Sequence, residues 1–152
     1  MNFDKLKFDN LLNKIKQEGW EVDLGKHVSD ETITELENEL NVCLPGSYKQ
    51  FLKVYGLIHI SGTYIAGIYN DDITEKSEGT VVYETLKFRA DTRTQGRADF
   101  IVLSSDGQEW YLGIDVTGGE CKVVGFDTLS KTFVDQNISF VEYLEQFLKD
   151  QI

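Results

Sequence analysis

The stretch Asn41–Gly56, NVCLPGSYKQFLKVYG, constrains this chain more than any other part of it. It holds the only proline in the sequence, Pro45, just ahead of an aromatic and apolar run. Proline lacks an amide hydrogen, and the first position of a helix does not need one. The spacing therefore predicts a helix whose first residue is Pro45. Tyr48, Phe51, Leu52 and Tyr55 fall at i, i+3, i+4 and i+7, which makes one continuous buried stripe. Gly56 can take the left-handed conformation that ends a helix. Every local signal in the stretch agrees with the others.

Two further helices precede it. One is expected from Asp4 to Gln17, with Leu6, Leu11, Leu12 and Ile15 inward and Gly19 as its stop. The other runs from Asp30 to Asn41, with Ser29 as N-cap and Ile33, Leu36 and Leu40 on the buried face. After Gly56, residues 57–69 read as two short strands broken near Ser61-Gly62, followed by a polar loop, NDDITEKSE. Residues 80–93 look helical, with Val82, Leu86 and Phe88 inward. Phe100–Leu103 reads as a central strand. Asp106-Gly107 and Gly118-Gly119 are turn signals, separated by a run in which Trp110, Leu112, Ile114 and Val116 alternate. Cys121–Phe126 completes an antiparallel meander of at least three strands. Ser139 and Glu142 form a capping box for a last helix, with Phe140, Tyr143, Leu144, Phe147 and Leu148 on its apolar face. Helices followed by strands argue an α+β fold, and 152 residues suit one domain over 1–152.

Composition narrows the function classes. Apolar residues make up 41% and charged residues 27%, ordinary globular values. Against 15 Lys and Arg stand 26 Asp and Glu, a net charge of −11. Such a field repels nucleic acid and favours basic protein partners. No long uncharged apolar run suggests a membrane span. The opening MNFDKLKFDN has no apolar signal core, so a cytoplasmic address is the expectation. Cys43 and Cys121 form no Cys-x-x-Cys pair and are expected to be buried free thiols.

The chain offers little that resembles a reaction centre. It has no phosphate-binding glycine loop, no His-Glu-x-x-His and no Gly-x-Ser-x-Gly. The loop Asn70–Glu78 is spaced faintly like a calcium loop, but Glu75 stands where glycine is required. His59 lies in an apolar strand, and a partly buried, satisfied histidine is expected there rather than a partner for Cys43 or Cys121. Arg89, Arg93 and Arg97 recur every fourth residue, with Lys87 nearby. Local ion pairs with Asp91 or Asp99 are the expectation, ahead of an anion grip. The weight falls on a binding module without catalytic residues, cofactor or metal, not on an enzyme.

Ile33, Glu37, Leu40, Leu44-Pro45, Tyr48-Lys49, Phe51-Leu52 and Tyr55-Gly56 together resemble the hallmark of the SUKH superfamily, whose name-giving members include fungal regulators of cell-wall assembly. Thr80-Val81-Val82, Thr85, Arg89 and the Ser139-Phe140 helix start extend the likeness over residues 29–149. The resemblance implies a mixed, mainly antiparallel sheet flanked by helices. In that framework Glu37, Leu44, Pro45, Tyr48, Phe51, Leu52 and Gly56 are structural. It also implies a bacterial immunity protein (an antitoxin) of the YobK type. Such a protein would bind a cognate toxin domain, a basic nuclease, and act as monomer or homodimer. The alternative is a non-enzymatic regulatory or ligand-binding scaffold. One departure is plain: relatives often carry an Asn-Gly-Gly-like turn where this chain has Gly56-Leu57-Ile58. Candidate toxin contacts are the loop acids Asp71, Asp72, Glu75 and Glu78 and the hairpin acids Asp106 and Glu109.

Overall fold

The computed structural model describes residues 3–117 and 122–152. The expected Gly118-Gly119 turn and Cys121 lie outside them. Helices and strands follow the order α1 (Lys5–Gln17), β1 (Val22–Leu24), α2 (Asp30–Leu40), α3 (Gly46–Tyr55), β2 (Ile58–Ile60) and β3 (Thr63–Ile65). Then come α4 (Val81–Ala90), a short 3-10 turn (Thr92–Thr94), β4 (Phe100–Ser105), β5 (Trp110–Asp115), β6 (Lys122–Asp127), β7 (Thr132–Ser139) and α5 (Phe140–Lys149). The strands form two antiparallel sheets, β1-β2-β3 and β4-β5-β6-β7. The fold is α+β, as expected, with two sheets in place of one. All pairing between these strands is antiparallel, and among the described residues the one parallel contact is an isolated bridge between Gly67 and Thr80.

The helix α3 carries the main core. Its carbonyl at Pro45 accepts the first helical bond, from Lys49 N–H at 3.0 Å. Pro45 is extended (φ −64°, ψ 148°) and therefore caps the helix, one position earlier than expected. Tyr48, Phe51, Leu52 and Tyr55 are all buried. Tyr48 donates its hydroxyl to the Ala66 carbonyl at 2.8 Å, satisfying a polar tip inside the core. Glu37 accepts from Leu44 N–H at 2.8 Å and forms an ion pair with Lys49 Nζ at 3.5 Å, so its carboxylate ties α2 to the start of α3. The residues carrying the family likeness are thus framework residues.

The four-stranded sheet is apolar on both faces. Ile101, Leu103, Ile114 and Val123 join the main core with α1, α2, α3 and α5. Phe100, Val102, Tyr111, Val124 and Phe126 form a second cluster, closed by Phe88 of α4. Phe100–Ser105 is an edge strand, not a central one. Its edge is occupied all the same: Ala66 N–H donates to Leu103 O at 2.7 Å, and Val102 N–H donates to Thr85 Oγ1 at 3.0 Å. Covering an edge in this way keeps it from pairing with another chain.

Other expectations shift. Leu6 is exposed, because the stripe of α1 runs through Phe8, Leu11, Leu12 and Ile15. Cys43 is exposed: in the extended link Val42–Leu44, Leu44 is buried and Val42 packs inward while Cys43 points out. Ser139 caps α5 by accepting from Glu142 N–H at 3.2 Å. The reciprocal partner of Glu142 is the Ser139 hydroxyl, at 3.1 Å, not its backbone amide.

Candidate functional site

The two sheets and α4 meet around a cleft. Three cross-strand partners, Asp23 of β1, His59 of β2 and Tyr64 of β3, stand in one row. Directly opposed residues share a sheet face, so these side chains are neighbours. The His59 and Tyr64 rings lie 2° from parallel with centroids 6.4 Å apart. Above this row the polar loop brings Glu75 and Glu78, closing a small cleft of about 210 Å³ that Asp23, His59, Tyr64 and Tyr69 also line. Tyr64 and Glu78 continue into a larger cleft of about 450 Å³, bounded by Tyr83, Glu84 and Lys87 of α4 and by Asp106 of the β4–β5 turn.

Glu84 is the unusual member. It is 2% exposed, on the helix face that also carries Val81, Thr85 and Phe88. Its Oε1 accepts from the Tyr64 hydroxyl at 2.7 Å and from Gly79 N–H at 3.3 Å. Burial, together with the Glu84 carboxylate, pushes the Tyr64 phenol well above its ordinary range. The Tyr64 hydroxyl therefore keeps its proton and remains a donor.

The six candidate acids separate into three sets. Asp71, Asp72 and Asp106 are engaged in hydrogen bonds, Asp71 to the start of α2 and the other two to their own turns. Asp71 Oδ1 accepts from Ser29 N–H at 2.9 Å and from the Ser29 hydroxyl, bonds that hold its carboxyl below the usual range and pin the loop to the start of α2. Asp72 accepts from the hydroxyl and amide of Thr74, which lower it likewise. Asp106 Oδ1 accepts from the amides of Gln108, Glu109 and Trp110, building the turn and depressing its own pKa. Glu75 and Glu78 line the clefts with no hydrogen bond or ion pair to their carboxylates among the described residues. Glu109 is exposed outside both clefts, its backbone carbonyl accepting from Thr128. The structure thus brings together Glu75, Glu78 and Asp106, and leaves Asp71, Asp72 and Glu109 apart from the lining.

His59 is partly buried, as expected, but it opens onto the small cleft and is not sealed in aliphatic packing. Cys43 is not in that lining, so no Cys43–His59 pair is formed there. The arginine stripe does not exist as one face, because α4 ends at Ala90. Arg93 pairs with Asp91 at 2.7 Å, Arg97 donates Nε to Asp99 at 2.8 Å, and Arg89 donates to the Ala98 carbonyl. The Arg93–Asp91 and Arg97–Asp99 contacts are the local ion pairs expected. Hydrogen bonding from Arg93, aided by Tyr111, holds Asp91 down at about 2. A carboxylate depressed in the folded state adds stability above its unfolded pKa of about 4 and loses it as pH falls toward 2. Asp91→Asn should therefore cost on the order of 1 kcal/mol at pH 7. The gap to the native protein should close between about pH 4 and about pH 2, read from urea unfolding midpoints across that range.

Residues 8–149 match the protein-family model described as SMI1-KNR4 cell-wall. The chain belongs to the SUKH family. The match covers all five helices except the first residues of α1, and both sheets. In this SUKH chain the matched framework of α2, α3 and α5 is packed apolar core, while Glu75, Glu78 and Asp106 of the cleft lining come from the loop and turn around it. No helix among the described residues is long and apolar enough to cross a membrane.

Proposed function

We propose that this chain is a bacterial immunity protein of the YobK type. It acts in the cytoplasm by binding the toxic domain of a cognate secreted toxin, a basic nuclease, and blocking it. The observation carrying this reading is an acid-lined cleft, on a protein of net charge −11, within a SUKH framework. A nuclease must hold phosphates with basic residues, and an inhibitor can meet such a surface with carboxylates. That arrangement speeds encounter and rejects wrong partners more than it deepens affinity. Co-expression with the C-terminal toxin domain encoded beside it should restore growth and yield a stoichiometric complex by size exclusion. Raising salt from about 50 mM to about 500 mM should slow association by about tenfold or more. Loss of growth with every toxin encoded nearby would overturn the proposal.

A further inference from the structure

We propose that the larger cleft is a receptor for one arginine side chain of the protein partner, with Glu84 at its floor. The inference deepens the immunity reading, on which it rests for the source of the arginine. Its starting point is an imbalance. A buried carboxylate is costly unless a cation or several donors meet it. Glu84 is almost wholly buried, yet both of its donors, Tyr64 Oη and Gly79 N, converge on Oε1. Oε2 receives no hydrogen bond and no ion pair from the described residues, and it is not sealed in the core but opens onto the cleft. Lys87 is the one cation in the lining, and its Nζ sits over the Tyr83 ring, 6.0 Å from the centroid, not on Glu84.

The surroundings specify the missing cation. Tyr64 and Tyr83 line the cleft, the Tyr83 ring already attracting the Lys87 cation, and the exposed Glu78 and Asp106 add carboxylates. A guanidinium suits this combination. It can donate to a carboxylate oxygen while stacking on an aromatic face, and it sheds water more readily than an ammonium. A metal ion suits it less, since no three carboxylate or imidazole groups converge on one point among the described residues.

The test needs no toxin. A capped pentapeptide with one arginine between glycines, and its citrulline twin, are titrated into the whole protein and followed by amide NMR. The expected result is a set of shifts centred on Gly79, Tyr64 and Glu84, saturating with Kd on the order of 1 mM for the arginine peptide only. Glu84→Gln keeps an acceptor for Tyr64 and Gly79 and should weaken binding about tenfold. The exposed Glu78→Gln, which puts no core contact at risk, should weaken it about threefold. Equal shifts from both peptides, shifts gathered elsewhere, or unchanged binding in Glu84→Gln would overturn the proposal. The comparison of the two peptides on the native protein stands even if a variant fails to fold. Peptide binding without toxin protection would defeat the immunity reading alone, and protection without peptide binding would defeat the arginine pocket alone.

Discussion

Phe51→Ala is expected to destabilise the protein by about 3–5 kcal/mol. The Phe51 ring is fully buried on α3. It stacks on Tyr48 with centroids 5.8 Å apart and meets Phe140 of α5 edge-on at 5.4 Å. Tyr55 adds a third aromatic wall at 6.2 Å. These walls are rings held by two helices, and the Tyr48 hydroxyl is fixed to the Ala66 carbonyl. The void cannot collapse far, so the cost belongs in the upper part of the range for large-to-small changes. Typical domains have only about 5–15 kcal/mol in total, so the variant would be marginal at growth temperature. Urea unfolding should show a lower midpoint with an unchanged slope. Protection in the co-expression assay should fail with it, although Phe51 is no part of the cleft. A variant that keeps the native midpoint would mean that α3 does not pack as described.

The same helix shows why some of the structure could be read in the sequence. Between Pro45 and Gly56, start signal, stripe and stop coincide over a few residues, so long-range packing had nothing to override. Leu6 shows the limit of counting apolar residues. At about 100° per residue it stands some 140° from Leu11, off the stripe that Phe8 completes. The strands β1 and β7 could not be found by alternation. Val22–Leu24 is three residues long and acquires its pairing from β2, which lies far along the chain. Thr132–Ser139 is an edge strand whose exposed positions mix Thr132, Asp135 and Asn137 with the apolar Val134, with Asn137 at positive φ and an irregular register against β6.

The cleft was half legible. Glu75, Glu78 and Asp106 stood out as acids in loops, but Asp71 and Asp72 look the same in sequence, and Asp71 turns out to pin the loop to Ser29 while Asp72 holds the turn at Thr74. Glu84 did carry a signal. It lies three residues after Val81 and four before Phe88, an acid on an apolar helix face, and such a position demands a partner. The partners, Tyr64 and Gly79, come from elsewhere in the chain, and only the fold brings them in.

Gly67→Ala is expected to cost at least about 3 kcal/mol, the upper end of overpacking, and to lower the melting temperature by about 6–12 °C. Here two backbone segments cross without room for a side chain. A Cβ on Gly67 would overlap the Gly56 carbonyl oxygen and press Leu52 Cδ2 at 3.2 Å. Gly56 answers from the other side with φ 73°, where an added Cβ would overlap the Lys26 carbonyl and lie 2.7 Å from that of Ile68. The crossing cannot simply open. Ile68 N–H donates to Gly56 O at 2.9 Å, and Val81 N–H donates to Gly67 O at 2.8 Å. Relaxing the clash would break one of these bonds and move the strand of chain that leads into α4. That movement would carry Gly79, and with it one of the two donors that hold Glu84 at the cleft floor. The variant should therefore lose arginine-peptide binding even under conditions where it remains folded. Gly46→Ala provides the contrast, since a Cβ there meets nothing within 4 Å and its φ is ordinary. Alanine favours a helix over glycine by up to about 1 kcal/mol, so Gly46→Ala should leave the melting temperature unchanged or raise it. Two glycine-to-alanine changes, one at the start of α3 and one beyond β3, should thus part sharply in stability, a result that overall loss of flexibility would not produce.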